Sequence, residues 1–239
     1  MRASAHPRVP GARPLAEPVR LAALAGILFW ISAMAVAAPP DHSLHDAAAR
    51  GDLLRVEAAL AAGAGAGLDG RDAAGRTALL LAVETGHDAV ARRLIDAGAD
   101  INAVAANRDT PWLLAGARGR TAMLERMLET GRVDYGRRNR YGGNALIPAC
   151  ERGHVETVRL LLTRSRIDVD HVNDLGWTAL LEAVVLGDGG PRHVEIVRLL
   201  LAHGASTAIA DRDGVTTLAH ARQRRQAEVV PLLEAAGAP

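Results

Sequence analysis

Three histidines, His87, His154 and His193, are where chemistry would first be sought, because imidazole ligates metals and moves protons near neutral pH. They fall at one point of a recurring segment, so they read as parts of a structural unit. No His-x-x-His, paired-cysteine or His-Glu-x-x-His spacing is present to hold zinc. Cys150 is the single cysteine and has no partner for an internal disulfide. A reactive thiolate there would need positive charge and exposure, and Arg152 is the nearby candidate to supply the charge. Ser165 and Ser206 lack an acid–base partner at a recognisable spacing. The glycine run 63–67 lacks the Lys and Ser/Thr of a phosphate loop. The sequence therefore predicts no catalytic residue, no metal and no cofactor.

The elements that would position these residues repeat along the chain. Helix starts are predicted near His42, Thr77, Thr110, Asn144, Thr178 and Thr216, at intervals of 35, 33, 34, 34 and 38 residues. Thr or Asn at such a start accepts a bond from an otherwise orphan amide, and Pro111 sits where a missing N–H costs nothing. Gly51, Gly86, Gly119 and Gly153 fall where the first helix must stop, a place that favours a left-handed residue. Second helices are predicted over 53–60, 89–95, 123–128, 155–162, 194–201 and 227–233, each with apolar residues three and four apart. Gly75, Gly142, Gly176 and Gly214, beside Asp72, Asn139, Asn173 and Asp211, mark the turns between units.

The period, together with Thr110-Pro111-Trp112 and its variants Thr77-Ala78-Leu79 and Thr178-Ala179-Leu180, resembles the ankyrin-repeat family, whose signature is T-P-L-H-x-A. The family's His is kept only at His45; Leu80, Leu113, Ile147, Leu181 and Ala219 replace it. The resemblance implies an all-α repeat solenoid of six repeats within 41–239, at about 42–75, 76–108, 109–142, 143–176, 177–214 and 215–239. The fifth copy carries an insertion, Gly187 to Pro191, read either as a lip or as a loop extension. The last copy, polar over 222–226, suits a cap whose outer face meets water.

The resemblance further implies a protein partner held along the fingers and the exposed side of the first helices, and a chain that is not an enzyme. Candidate contacts are Arg132, Arg137, Arg138, Arg140 and Tyr141 of the third finger, since Arg and Tyr are enriched at interface hot spots. Trp177 is added because it occupies the variable position before Thr178, and Glu151, Arg152 and Asp188 complete the set. Trp112 replaces a core leucine and is expected inside.

Composition bounds the remaining choices. Of 239 residues, 49% are hydrophobic but only 3% aromatic, so the core must be built from Ala, Leu and Val. Net charge is +1, which gives no bulk drive toward nucleic acid or anionic membrane. All basic residues are arginine, a bias that suggests a GC-rich bacterial source. Arginines 2, 8, 13 and 20, the apolar run 21–38 and Ala35-Val36-Ala37 predict a signal peptide over 1–38, or a membrane anchor if it stays uncleaved. Losing residues 1–37 removes four arginines and one acid, turning 28 basic and 27 acidic residues into 24 and 26. The reading is an exported, periplasmic, monomeric scaffold with no small-molecule substrate. Its rivals are a secreted effector that binds a host protein and a redox protein using Cys150.

Overall fold

In the computed structural model the chain divides at residue 39 into two units. The structure describes residues 42–63 and 67–239, all in the second unit. The expected signal or anchor segment and residues 64–66 of the first finger lie outside the described residues. Among the described residues there are twelve helices and no strand, and no helix is long and apolar enough to cross a membrane.

The helices form six pairs: α1 (His42–Arg50) with α2 (Leu53–Ala61), α3 (Ala78–Thr85) with α4 (Asp88–Asp96), α5 (Pro111–Ala117) with α6 (Thr121–Glu129), α7 (Leu146–Glu151) with α8 (Val155–Arg164), α9 (Ala179–Val185) with α10 (Pro191–Ala202), and α11 (Thr217–Gln223) with α12 (Val229–Ala235). First helices pack against first helices of the neighbouring pairs, and second against second, giving two layers. Neither layer can bury its apolar side alone, so the stack is the folding unit. The inner layer approaches closely because Ala78, Ala82, Ala115, Ala145, Ala149, Ala179 and Ala183 are all fully buried at the seam. Trp112 is also buried, with Tyr135 edge-on at 5.9 Å, as its place in the signature predicts.

Each first helix is set by its ends. The hydroxyls of Thr77, Thr110, Thr178 and Thr216 accept the amides of Leu80, Leu113, Leu181 and Ala219 at 3.1–3.3 Å. Asn144 does the same for Leu146 and Ile147. At the other end Gly119 has φ +66°, and a Cβ there would lie 2.7 Å from Nδ1 of His154. His154 covers Gly119 as His87 covers Gly51 and Arg120 covers Gly86. The His87 ring also reaches the Ala49 carbonyl at 3.1 Å, and His193 reaches that of Glu151 at 3.0 Å. The histidines thus close the open carbonyl ends of the helix before them.

The fingers are closed by side chains. Asn139 Oδ1 accepts the amides of Tyr141 and Gly143, both at 2.9 Å, and Asp72, Asn173 and Asp211 repeat the arrangement. The finger at 105–109 departs from it. Ala105 offers no acceptor, so Asn107 takes the Asp109 amide, and Arg108 stands at φ +66° where the other fingers have glycine. The insertion lengthens α10 by starting it at Pro191, with Asp188 bonded to His193 (2.7 Å) and the Gly190 amide (2.9 Å). Residues 187–191 are not among those that line the groove described next, although the adjacent Leu186 is.

Candidate functional site

A groove of about 940 Å³ runs between the fingers and the first helices of the second to fifth pairs. Its floor is Leu114 and Ala117 of α5, Ile147, Pro148 and Glu151 of α7, and Glu182 of α9, with Glu84 at one end and Leu186 at the other. Asp109, Arg140, Tyr141, Asn173 and Leu175 come from the fingers, while Arg118, Arg120, Arg152 and His154 come from the turns after the first helices. Apolar and charged side chains of both signs therefore alternate along one open surface. Tyr141, Leu175 and Leu186 are each about half exposed (49%, 47% and 48%), large apolar side chains among charged ones.

Of the residues singled out from the sequence, Arg140, Tyr141, Glu151 and Arg152 come together in this groove. Arg140 stacks on the Tyr141 ring at 4.8 Å, and Arg152 donates to the Ala117 carbonyl at 2.7 Å. The other five lie off it. Arg132 donates to the carbonyls of Gly98 and Ala99, Arg137 pairs with Asp134 at 3.0 Å, and Arg138 donates to the Tyr135 and Arg137 carbonyls. Trp177 is half-buried beside its finger. Asp188 faces His193, and the Gly190 amide and that ring hold its carboxyl below the usual carboxylate range.

Sequence reading missed Glu182, Asp109 and Asn173. Glu182 is only 5% exposed, and its Oε1 accepts a 2.8 Å bond from Asn173 Nδ2. Burial, and then the Glu151 charge across the groove, push its carboxyl up to about 7. Burial also raises Asp109, against the pull of Arg140. Burial first, and then the neighbouring Arg152, Arg192 and Arg120, hold His154 below its ordinary value against the bond to Ala117.

Cys150 lies in α7 behind this floor, fully buried. Burial, with a smaller push from Glu182, raises its thiol well above the ordinary value. The thiolate that a redox role needs is thus disfavoured, and Arg152 does not reverse this because its guanidinium is turned to Ala117. Among the described residues no three His, Cys, Asp or Glu side chains stand where they would hold a metal ion.

Comparison with known proteins agrees with this geometry. The family model for ankyrin repeats in three copies matches twice, over residues 44–138 and 112–207. The chain is 42% identical over 200 residues to the ankyrin repeat protein YahD of Escherichia coli strain K12, covering 84% of this chain and 97% of that one. Among solved structures it is similar to an ankyrin repeat domain of Acinetobacter baumannii AYE, at 46% identity and a TM-score of 0.77, over 83% of this chain and 99% of that one. It is also similar to the ankyrin repeat domain of Bcl-3, a member of the IkappaB protein family, at 32% identity and a TM-score of 0.73, over 82% and 86% of the two chains.

Proposed function

Since the chain belongs to the ankyrin-repeat family, we propose that it is a non-catalytic scaffold that holds a protein partner in the groove between its fingers and first helices. Ankyrin repeats generally serve as protein-interaction scaffolds. The observation that carries the reading is the groove itself: four successive pairs and their fingers present Tyr141, Leu175 and Leu186 to solvent among charged groups of both signs. Aromatic and aliphatic anchors inside a polar surround are what a protein partner buries. The contacts within this reading are Arg140, Tyr141, Glu151 and Arg152, with Arg132, Arg137, Arg138, Trp177 and Asp188 at its margins.

The reading includes export, resting on residues 1–38: positive charge, an apolar run and Ala35-Val36-Ala37. A mature chain starting near Ala38 in the periplasm supports it, whereas an intact Met1 on membrane-bound material means an anchor. Partner capture is tested by placing a photo-crosslinking residue at position 186, which lines the groove and is half exposed, and irradiating cells. The reading expects a discrete adduct, lost when Arg140, Tyr141 and Leu175 are all changed to Ala with the helix content intact. An adduct of the same yield from the triple variant, or from a crosslinker on the opposite face at position 159, refutes it.

A further inference from the structure

At one point of the groove a negative charge lacks its counterpart. In the last two pairs the same two positions face each other: a residue opening the finger and a residue in the first turn of the following helix. In the sixth pair they are Asp211 and His220, 2.7 Å apart, an acid against a base. In the fifth they are Asn173 and Glu182, a neutral amide against an acid. The corresponding helix positions in the second, third and fourth pairs are Leu81, Leu114 and Pro148, which carry no charge at all. Glu182 is therefore a deeply placed carboxyl that, among the described residues, forms no ion pair. Asn173 satisfies one oxygen; among the described residues Oε2 has no hydrogen-bond partner, and the side chain lines the groove.

The surroundings sharpen the mismatch. Glu151 on α7 adds a second negative charge, and Cys150 behind it adds none. Arg152 draws the Glu182 carboxyl down, but less than burial and Glu151 push it up, and its Nη1 donates to the Ala117 carbonyl. Leu175 and Leu186, both about half exposed, and Ile147 and Pro148 surround the carboxyls with apolar surface, which strengthens any charge interaction made there.

We propose that Glu182, Glu151 and Asn173, framed by Leu175 and Leu186, form a subsite for one basic side chain, an arginine or lysine, of the protein partner. The proposal rests on the reading of the groove as a partner-binding surface and specifies what the partner must carry at that point. A guanidinium or ammonium group donates to the open Oε2 of Glu182 and to Glu151, and its aliphatic stem lies against the two leucines. Burial that penalises Glu182 in the free protein becomes favourable once the cation arrives. The subsite thus selects for charge as well as shape.

The test uses the full chain and N-acetyl-arginine amide as the probe, with N-acetyl-citrulline amide as its uncharged counterpart. Binding is followed by NMR on the Asn173 side-chain amide and the Leu175 and Leu186 methyl groups. The arginine compound is expected to shift all three signals, and the citrulline compound to bind about tenfold more weakly or worse, the scale of a lost charge-assisted hydrogen bond. Glu182→Gln, which keeps the acceptor for Asn173, is expected to abolish the difference between the two compounds. Equal binding of arginine and citrulline compounds by the unmodified protein overturns the subsite without reliance on any variant. In cells, a Glu182→Gln protein that captures its partner at full yield overturns the subsite and leaves the groove reading standing. Charge-selective binding of the probe without any crosslinked partner does the reverse.

Discussion

Replacing Glu182 by Gln is expected to stabilise the fold, and to do so only above mildly acidic pH. The folded carboxyl titrates at about 7 and the unfolded one near 4.5. A raised value means that the folded chain holds the proton more tightly, so between those limits the unfolded chain carries fewer protons than the folded one. Stability therefore falls as pH climbs from about 4.5 to about 7 and is flat above. At 1.36 kcal/mol per tenfold change in proton affinity, the whole span corresponds to a ceiling of about 3 kcal/mol. Glutamine has nearly the same shape and keeps the bond from Asn173 while removing the charge that is penalised. At pH 8 the variant should be more stable by about 2–3 kcal/mol, or roughly 5–10 °C in melting temperature for a chain of this size. At pH 4.5, where Glu182 is already neutral in the fold, the two proteins should melt together. Thermal melts of both at the two pH values decide the matter. An equal gain at both, or no gain at pH 8, would show that the carboxyl is not held in its neutral form by its surroundings.

Three further outcomes follow from the same packing. Gly119→Ala should cost about 2–3 kcal/mol in chemical denaturation, because it combines left-handed strain with contact against the His154 ring, whereas Gly98→Ala, with nothing within 4 Å, should cost about 1 kcal/mol from strain alone. Thr110→Ala, which removes a buried helix cap, should cost about 1–2 kcal/mol by the same measurement. Cys150 should resist iodoacetamide in the native protein at pH 8 and react at the ordinary thiol rate in denaturant, read by intact mass; rapid native labelling would reopen a redox role.

The architecture was readable because its signals are local. A threonine or asparagine, a glycine nine residues on, and an apolar stripe after it each have a short-range physical cause, and each reappears in the structure. The finger at 105–109 was not readable by that logic, since neither Ala105 nor Arg108 is a turn residue; contact with the preceding finger, through the Ala106 amide on the Ala74 carbonyl, holds it instead. The groove was legible only in part. Arg132, Arg137, Arg138, Arg140 and Tyr141 are close in sequence, but the guanidinium of Arg132 turns to backbone of the previous pair while Arg140 stacks on Tyr141 in the groove. Glu182 gave no sequence signal, because an acid in the first turn of a helix is ordinary. Only its register against Asn173, seen beside Asp211 and His220, marks it out.

The closure of each first helix by the histidine or arginine that follows gives the stack a direction. Each glycine that ends a first helix, Gly51, Gly86, Gly119 and Gly153, is roofed by a side chain from the next pair, never from the one before. At the equivalent turn of the sixth pair the chain places Arg225, at φ +55° and exposed, instead of glycine. Trimming pairs from the carboxyl end therefore strips a lid from whatever remains, while trimming from the amino end removes only the thing that was covered. A chain emerging amino end first would see each of these hairpins locked by the arrival of its successor.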